Sequence, residues 1–175
     1  MFRELVQFDG SNFYNKVKKI CLEAHLSFYN YLKLAEFIVG KEPEKVIYYV
    51  GEIKKYPGNV KSEALYSSQQ SLFFNLRKQG IQVKLGYLLM SNGVYHEKGV
   101  DVQIAADMIY GTLRSEYDAF YLISSDTDLL PAVAIAKDED KKVIYVGFEN
   151  NMSKALLRNS SSNFILRKSD ILRFI

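Results

Sequence analysis

Residues 119–131 read AFYLISSDTDLLP. Ala119 to Ile123 form an apolar and aromatic run without polar alternation, the pattern of a strand covered on both faces of a parallel sheet. Pro131 stands where a first helical turn would lie, and proline there removes only an amide hydrogen that has no partner within the helix. The stretch therefore reads as strand, turn and helix. Between strand and helix stand Asp126 and Asp128, with Thr127 between them. A helix start uses one acid as a cap or dipole partner, which leaves the second to be explained.

The same alternation runs outward in both directions. ELVQF before Asp9 is β-prone, and Val17, Cys21, Ala24 and Phe28 behind it fall at helical spacing, giving one or two helices. VIYYVG at 46–51 is a second strand, followed by the polar loop GEIKKYPGNVK. A helix over 62–78 closes at Gly80, IQVKLGYLLM at 81–90 is a third strand, and Ser91 to Gly93 turn the chain. Val100, Ile104, Met108 and Gly111 share a helical face ahead of the strand at 119–125. DLLPAVAIAKDED is a helix, KVIYVGF at 142–148 a strand, NMSKALLRN a short helix, and NFILR a last strand or edge. The strands at 46–51, 119–125 and 142–148 lack polar alternation, so the expected architecture is a three-layer α/β/α sandwich around a mainly parallel sheet.

Bulk properties narrow the class. The 175 residues, 48% hydrophobic, suffice for one core and suggest a single domain over 1–175. A net charge of +3 tolerates a polyanionic partner without demanding one. Cys21 is the single cysteine, which rules out a disulfide framework within the chain and suits a reducing, cytoplasmic setting. No signal-peptide pattern opens the sequence, and no stretch has the length of a membrane span. His25 and His96 fit no ligand spacing, and Ser124 and Ser125 lack a nucleophile-elbow pattern, which argues against zinc chemistry and serine hydrolysis.

In an open parallel sheet, ligands bind beyond the carboxyl ends of the strands, near the point where strand order reverses. Asp9 follows the first strand, Asp126 and Asp128 follow the strand ending at Ile123, and Asp101 opens a helix that could point at a strand end. Carboxylates converging on one cleft repel one another unless cations neutralise them, and an oxygen-rich, histidine-poor set suits Mg²⁺ or Mn²⁺. Singly, each acid is more simply a helix cap or an Asx turn; together they exceed what capping requires.

Three blocks in this order, VQFDGSNFY, EKGVDVQIAADM and YLISSDTDLLPAV, ahead of KKVIYVGFE, resemble the NYN domain of the LabA/DUF88 group, a branch of the PIN-like nucleases. The resemblance extends to the closing RKSDILRFI. It implies a PIN-like fold and a metal-dependent nuclease acting on RNA, with Mg²⁺ or Mn²⁺ in a carboxylate cluster. Asp9 and Asn12 match the first motif, Lys98 and Asp101 the second, and Asp126 and Asp128 the third. Ser125 stands where relatives often carry glycine. The resemblance casts Asp9, Asp101 and Asp126 as direct or water-mediated ligands and Asp128 as completing the set or orienting a metal-bound water. Lys98 would contact phosphate, with Asn12, Ser124 and Ser125 as polar support. Lys54, Lys55 and Tyr56, with Lys61, form a basic run with an aromatic among it, the pairing that holds single-stranded nucleic acid.

Two enzyme alternatives fit less well. A haloacid-dehalogenase-like phosphatase wants an aspartate at position 11, where the chain has Ser11, and a sugar-nucleotide transferase would need a longer chain. The rival of another class is a nucleic-acid-binding or regulatory adaptor that keeps the fold without cleaving. Single-stranded RNA is the expected partner, with a homodimer as a further option.

Overall fold

The computed structural model describes residues 2–91 and 94–175, and their side chains except those of 88–91 and 94–97. Its strands are β1 (Glu4–Asp9), β2 (Lys45–Gly51), β3 (Gln82–Ser91), β4 (Val94–Lys98), β5 (Ala119–Ile123), β6 (Lys142–Phe148) and β7 (Ser162–Leu166). They form one sheet in the order β4-β3-β2-β1-β5-β6-β7. Neighbours pair in parallel except β3 and β4, an antiparallel pair. The strand order reverses between β1 and β5. The chain lays β2 and β3 down on one side of β1, then returns to the other side for β5, β6 and β7.

Helices α1 (Gly10–Ile20), α2 (Tyr31–Val39), α3 (Val60–Lys78) and α7 (Lys168–Leu172) contribute to one core. Helices α4 (Val100–Leu113), α5 (Leu130–Asp138) and α6 (Lys154–Asn159) contribute to the other. Strand periodicity assigns the faces: Val6 and Phe8 of β1 enter the first core, and Leu5 enters the second. Gln7 and Asp9 share Leu5's face, so the β1 carboxylate leans toward the α4 and α5 layer. The first core is aromatic. Phe8 packs edge-on against Phe13 and Tyr31, with ring centroids 5.5 and 5.7 Å away, an arrangement that suits the ring quadrupoles.

The expected α/β/α sandwich with a mainly parallel sheet is what forms. Pro131 lies in the first turn of α5, after a single 3₁₀ turn over Thr127–Leu129. Gly80 follows α3 at φ 74°, a left-handed turn that a side chain would strain. Three local readings differ from the structure. The spacing of Val17, Cys21, Ala24 and Phe28 does not make one helical face. Helix α1 stops at Ile20, Cys21 is extended, and Asn30 starts α2 by accepting the Lys33 amide. A competing cap thus outweighs the periodicity. Strand β4 was not expected, because a hairpin arm with one neighbour need not show an apolar pattern. Its register sets Ser91 opposite Val94; of the expected turn, Asn92 and Gly93 lie outside the described residues, as does the side chain of His96. The closing RKSDILRFI contains α7, whose Asp170 accepts the Arg167 amide. Among the described residues no helix is long and apolar enough to cross a membrane.

Candidate active site at the strand-order reversal

Parallel pairing of β1 with β5 sets Phe8 beside Ile123, so the residues that follow, Asp9 and Ser124, leave the sheet side by side. Both are buried, with relative exposures of 5% and 1%. The Ser124 hydroxyl donates to Asp9 Oδ2 at 2.7 Å and accepts the Asp126 amide at 3.1 Å. One hydroxyl therefore ties the end of β1 to the turn after β5. The other Asp9 oxygen accepts the Asn12 amide at 3.0 Å, which makes Asp9 the N-cap of α1 as well. A buried carboxylate held this way on both oxygens has little rotational freedom. Helix α1 can begin directly at Gly10 because the backbone passes close to β2, where a Cβ would stand 2.6 Å from the Tyr49 carbonyl oxygen.

Asp126 caps the following turn, its Oδ1 accepting the Asp128 amide at 2.9 Å. Of the pair that opened the sequence reading, Asp126 is thus half-buried and does the capping, and Asp128 has an exposed side chain. Ser125 lies 3.4 Å from the Tyr145 hydroxyl, which in turn accepts the Ser153 amide ahead of α6. Asn12 Oδ1 is buried without a hydrogen-bond donor among the described residues.

Asp101 lies in the first turn of α4, after Gly99 in the left-handed region at φ 82°. Helix α4 runs back down the face of β1, β2 and β3 that carries Asp9, and it also packs on the turn holding Asp126. A buried polar relay fixes it there. Gln7 Nε2 donates to the Ile104 carbonyl at 3.1 Å and to the Tyr49 hydroxyl at 3.0 Å. Tyr49 donates to Asp107 at 2.8 Å, and Lys84 closes the chain on Asp107 at 2.7 Å. Burial pushes the Tyr49 hydroxyl far above its ordinary range, so it stays protonated as a donor. These four residues were absent from the candidate set. Gln7, a polar residue inside an otherwise apolar strand, was the signal that could have exposed them.

The structure joins Asp9, Asn12, Ser124, Asp126 and Asp128 through hydrogen bonds. Asp101 shares their layer and their end of the sheet, in the first turn of α4. Lys98, exposed at the end of β4, precedes Gly99 and Asp101. Lys54, Lys55 and Tyr56 are exposed in the loop after β2, at the same end of the sheet. That loop is pinned to α3 at both ends. Gln69 accepts the Ile53 amide and donates to the Gly51 carbonyl, and the Ser62 hydroxyl accepts the Tyr56 amide.

Among the described residues no three acidic, histidine or cysteine side chains group closely enough to cage an ion by themselves. Mg²⁺ does not require such a cage, because it keeps several waters and binds through one or two carboxylates together with substrate phosphate. Asp9 and Asp126, linked through the Ser124 hydroxyl and the Asp126 amide, offer an all-oxygen donor set that fits that mode.

Known proteins share the family pattern and the fold. The NYN domain family model matches residues 5–170. A crystal structure of a protein of unknown function from Vibrio parahaemolyticus superposes with a TM-score of 0.67 at 20% identity, over 94% of this chain and 93% of that one, a likeness of fold. An uncharacterized protein of Methanocaldococcus jannaschii is 39% identical over 57 residues, 33% of this chain. The match spans only 24% of that relative's length.

Proposed function

Because this chain belongs to the NYN domain family, whose members are PIN-like nucleases, we propose that it is a metal-dependent ribonuclease of the LabA/DUF88 kind. On this reading it hydrolyses phosphodiester bonds of single-stranded RNA at the strand-order reversal. The observation that carries the reading is the Asp9–Ser124–Asp126 bridge, which ties the Asp9 carboxylate to the backbone of the Asp126 turn and so sets two acidic residues from separate strand ends side by side. Capping alone would not require it, since Asp9 caps α1 through the Asn12 amide and needs no contact with β5 for that.

Asp9 and Asp126 would hold Mg²⁺ or Mn²⁺, with Asp101 reached through water. Such an ion, when bound, neutralises charge on the phosphoryl oxygens and lowers the pKa of water at the site. The chain's own groups do the rest. Ser124 keeps the Asp9 carboxylate turned toward Asp126. Asp128, exposed beside them, accepts a proton as water's oxygen bonds to phosphorus and the ester P–O bond breaks. Lys98 offers a point charge to a non-bridging oxygen as negative charge spreads. Asn12 and Ser125 hold the two turns in place.

The test is cleavage of labelled single-stranded RNA, single-stranded DNA and duplex DNA, with Mn²⁺ or Mg²⁺ and with EDTA. Cutting of RNA that EDTA stops, and that Asp126→Asn stops, is the expected result. RNA bound tightly but left intact under every metal would replace the nuclease with the adaptor.

A further inference from the structure

A cavity of about 400 Å³ opens between α1, the turn at Leu26–Phe28, the end of β2 and α3. The volume falls in the range of small-ligand sites, ~300–1,000 Å³. Its interior is apolar, with Tyr48, Val50 and Leu72 among its lining. Two side chains in the lining are unusually open to solvent for their type. Tyr14 on α1 is 49% exposed and Leu65 on α3 is 47% exposed, one from each helix that walls the cavity. Hydrogen-bonding groups in the lining are mostly neutral, among them Asn15, Ser27 and Ser68, and no aspartate or glutamate lines it among the described residues.

The charge at its edge is positive. Lys18 lines the cavity with its ammonium 5.8 Å from the Tyr14 ring centre. Ile53 lines it too, and the exposed Lys54 and Lys55 follow directly; Glu52 and Glu63 are near in sequence but outside the lining. Apolar faces for a flat ring, neutral donors and acceptors for its edge, and cations for an attached phosphate together describe one ligand class.

We propose that this cavity binds a nucleobase of single-stranded nucleic acid, held against Tyr14 with its phosphate toward Lys18; the choice of ligand rests on the nuclease reading. Gly10 and Ser11 line the cavity and directly follow Asp9, so the base belongs to a nucleotide flanking the cleaved bond, reached around the start of α1. The cavity then selects which base stands beside the cut, a task the carboxylates cannot perform.

The test is amide chemical-shift mapping of the full chain with 5′-AMP, 5′-UMP, 5′-CMP and 5′-GMP in EDTA, where any metal-held phosphate is absent. The expected result is saturable shifts at Tyr14, Val50 and Ser68, retained in Tyr14→Phe and Asp126→Asn. Tyr14→Ala should weaken binding about tenfold, as loss of one stacking contact does, and Ser68→Trp should weaken it by filling the cavity; both positions are exposed on helices. Shifts confined to the Asp9 and Asp126 turns, or binding indifferent to both variants, would overturn the proposal. Cleavage assays separate the two readings. RNA cut normally by Ser68→Trp with unchanged KM and base preference defeats the cavity and spares the nuclease. Nucleotides bound here by a protein that cuts nothing do the reverse.

Discussion

Ser124 is the residue on which the site turns. Its hydroxyl has one donor proton, given to Asp9, and its lone pair takes the Asp126 amide, so removing it loosens the Asp9 carboxylate and the backbone of the Asp126 turn at once. Ser124→Ala should retain the fold and lower metal-dependent cleavage by ~10–100-fold, the usual effect of losing a group that orients a metal ligand; a titration of rate against Mn²⁺ separates weakened binding from slower chemistry. Gly10 is held to a stricter limit. An added methyl would meet the Tyr48 ring and the Tyr49 carbonyl, so Gly10→Ala should cost ~1–3 kcal/mol in chemical denaturation, as overpacking does. Asp9, Asp126 and Asp128 were legible in the sequence because they exceed what the turns need. The bridging role of Ser124 was not. It depends on Phe8 standing beside Ile123, a register between strands more than a hundred residues apart in the chain.

At the scale of elements, α4 matters most, because it carries Asp101 and packs on the Asp126 turn. Its seat is the relay from Gln7 through Tyr49 and Asp107 to Lys84. Tyr49→Phe leaves the buried Gln7 and the half-buried Asp107 each short of a partner, and should cost ~1–3 kcal/mol in urea denaturation. It should also reduce cleavage while leaving RNA binding through the exposed lysines intact. The helices and parallel strands were readable from period and from punctuation by Pro131 and Gly80. The reading of one or two helices after β1 resolves as two, but the position of the break after Ile20 was not readable, since the spacing of Val17, Cys21, Ala24 and Phe28 runs across it. Strand β4 was hidden for a different reason: an edge arm paired on one side carries no continuous apolar run.

For the whole molecule, the aromatic core sets the behaviour at high pH. Burial raises the hydroxyl pKa of Tyr29, Tyr31 and Tyr49 above the ordinary 10.0. The folded state therefore keeps these protons where the unfolded chain loses them. Their contribution is complete below pH 10 and is lost progressively as pH rises from there toward the folded-state values. The urea midpoint should fall between pH 9 and about 11. Phenolate absorbance of these three should appear only with unfolding; early ionisation without loss of structure would contradict their burial. The sandwich as a whole was legible because parallel strands buried on both faces advertise themselves. The cavity beside α1 was not, since it is made by four elements distant in sequence.

The central claim is that Asp9 and Asp126, from separate strand ends tied together by Ser124, hold a divalent ion for phosphodiester hydrolysis. The rate of cleavage of a single-stranded RNA, followed against Mn²⁺ concentration for the wild type and Asp126→Asn, tests it most directly. We expect a saturable, EDTA-reversible rate in the wild type and none in the variant. An undiminished rate in Asp126→Asn, or cleavage that ignores the metal, would contradict it.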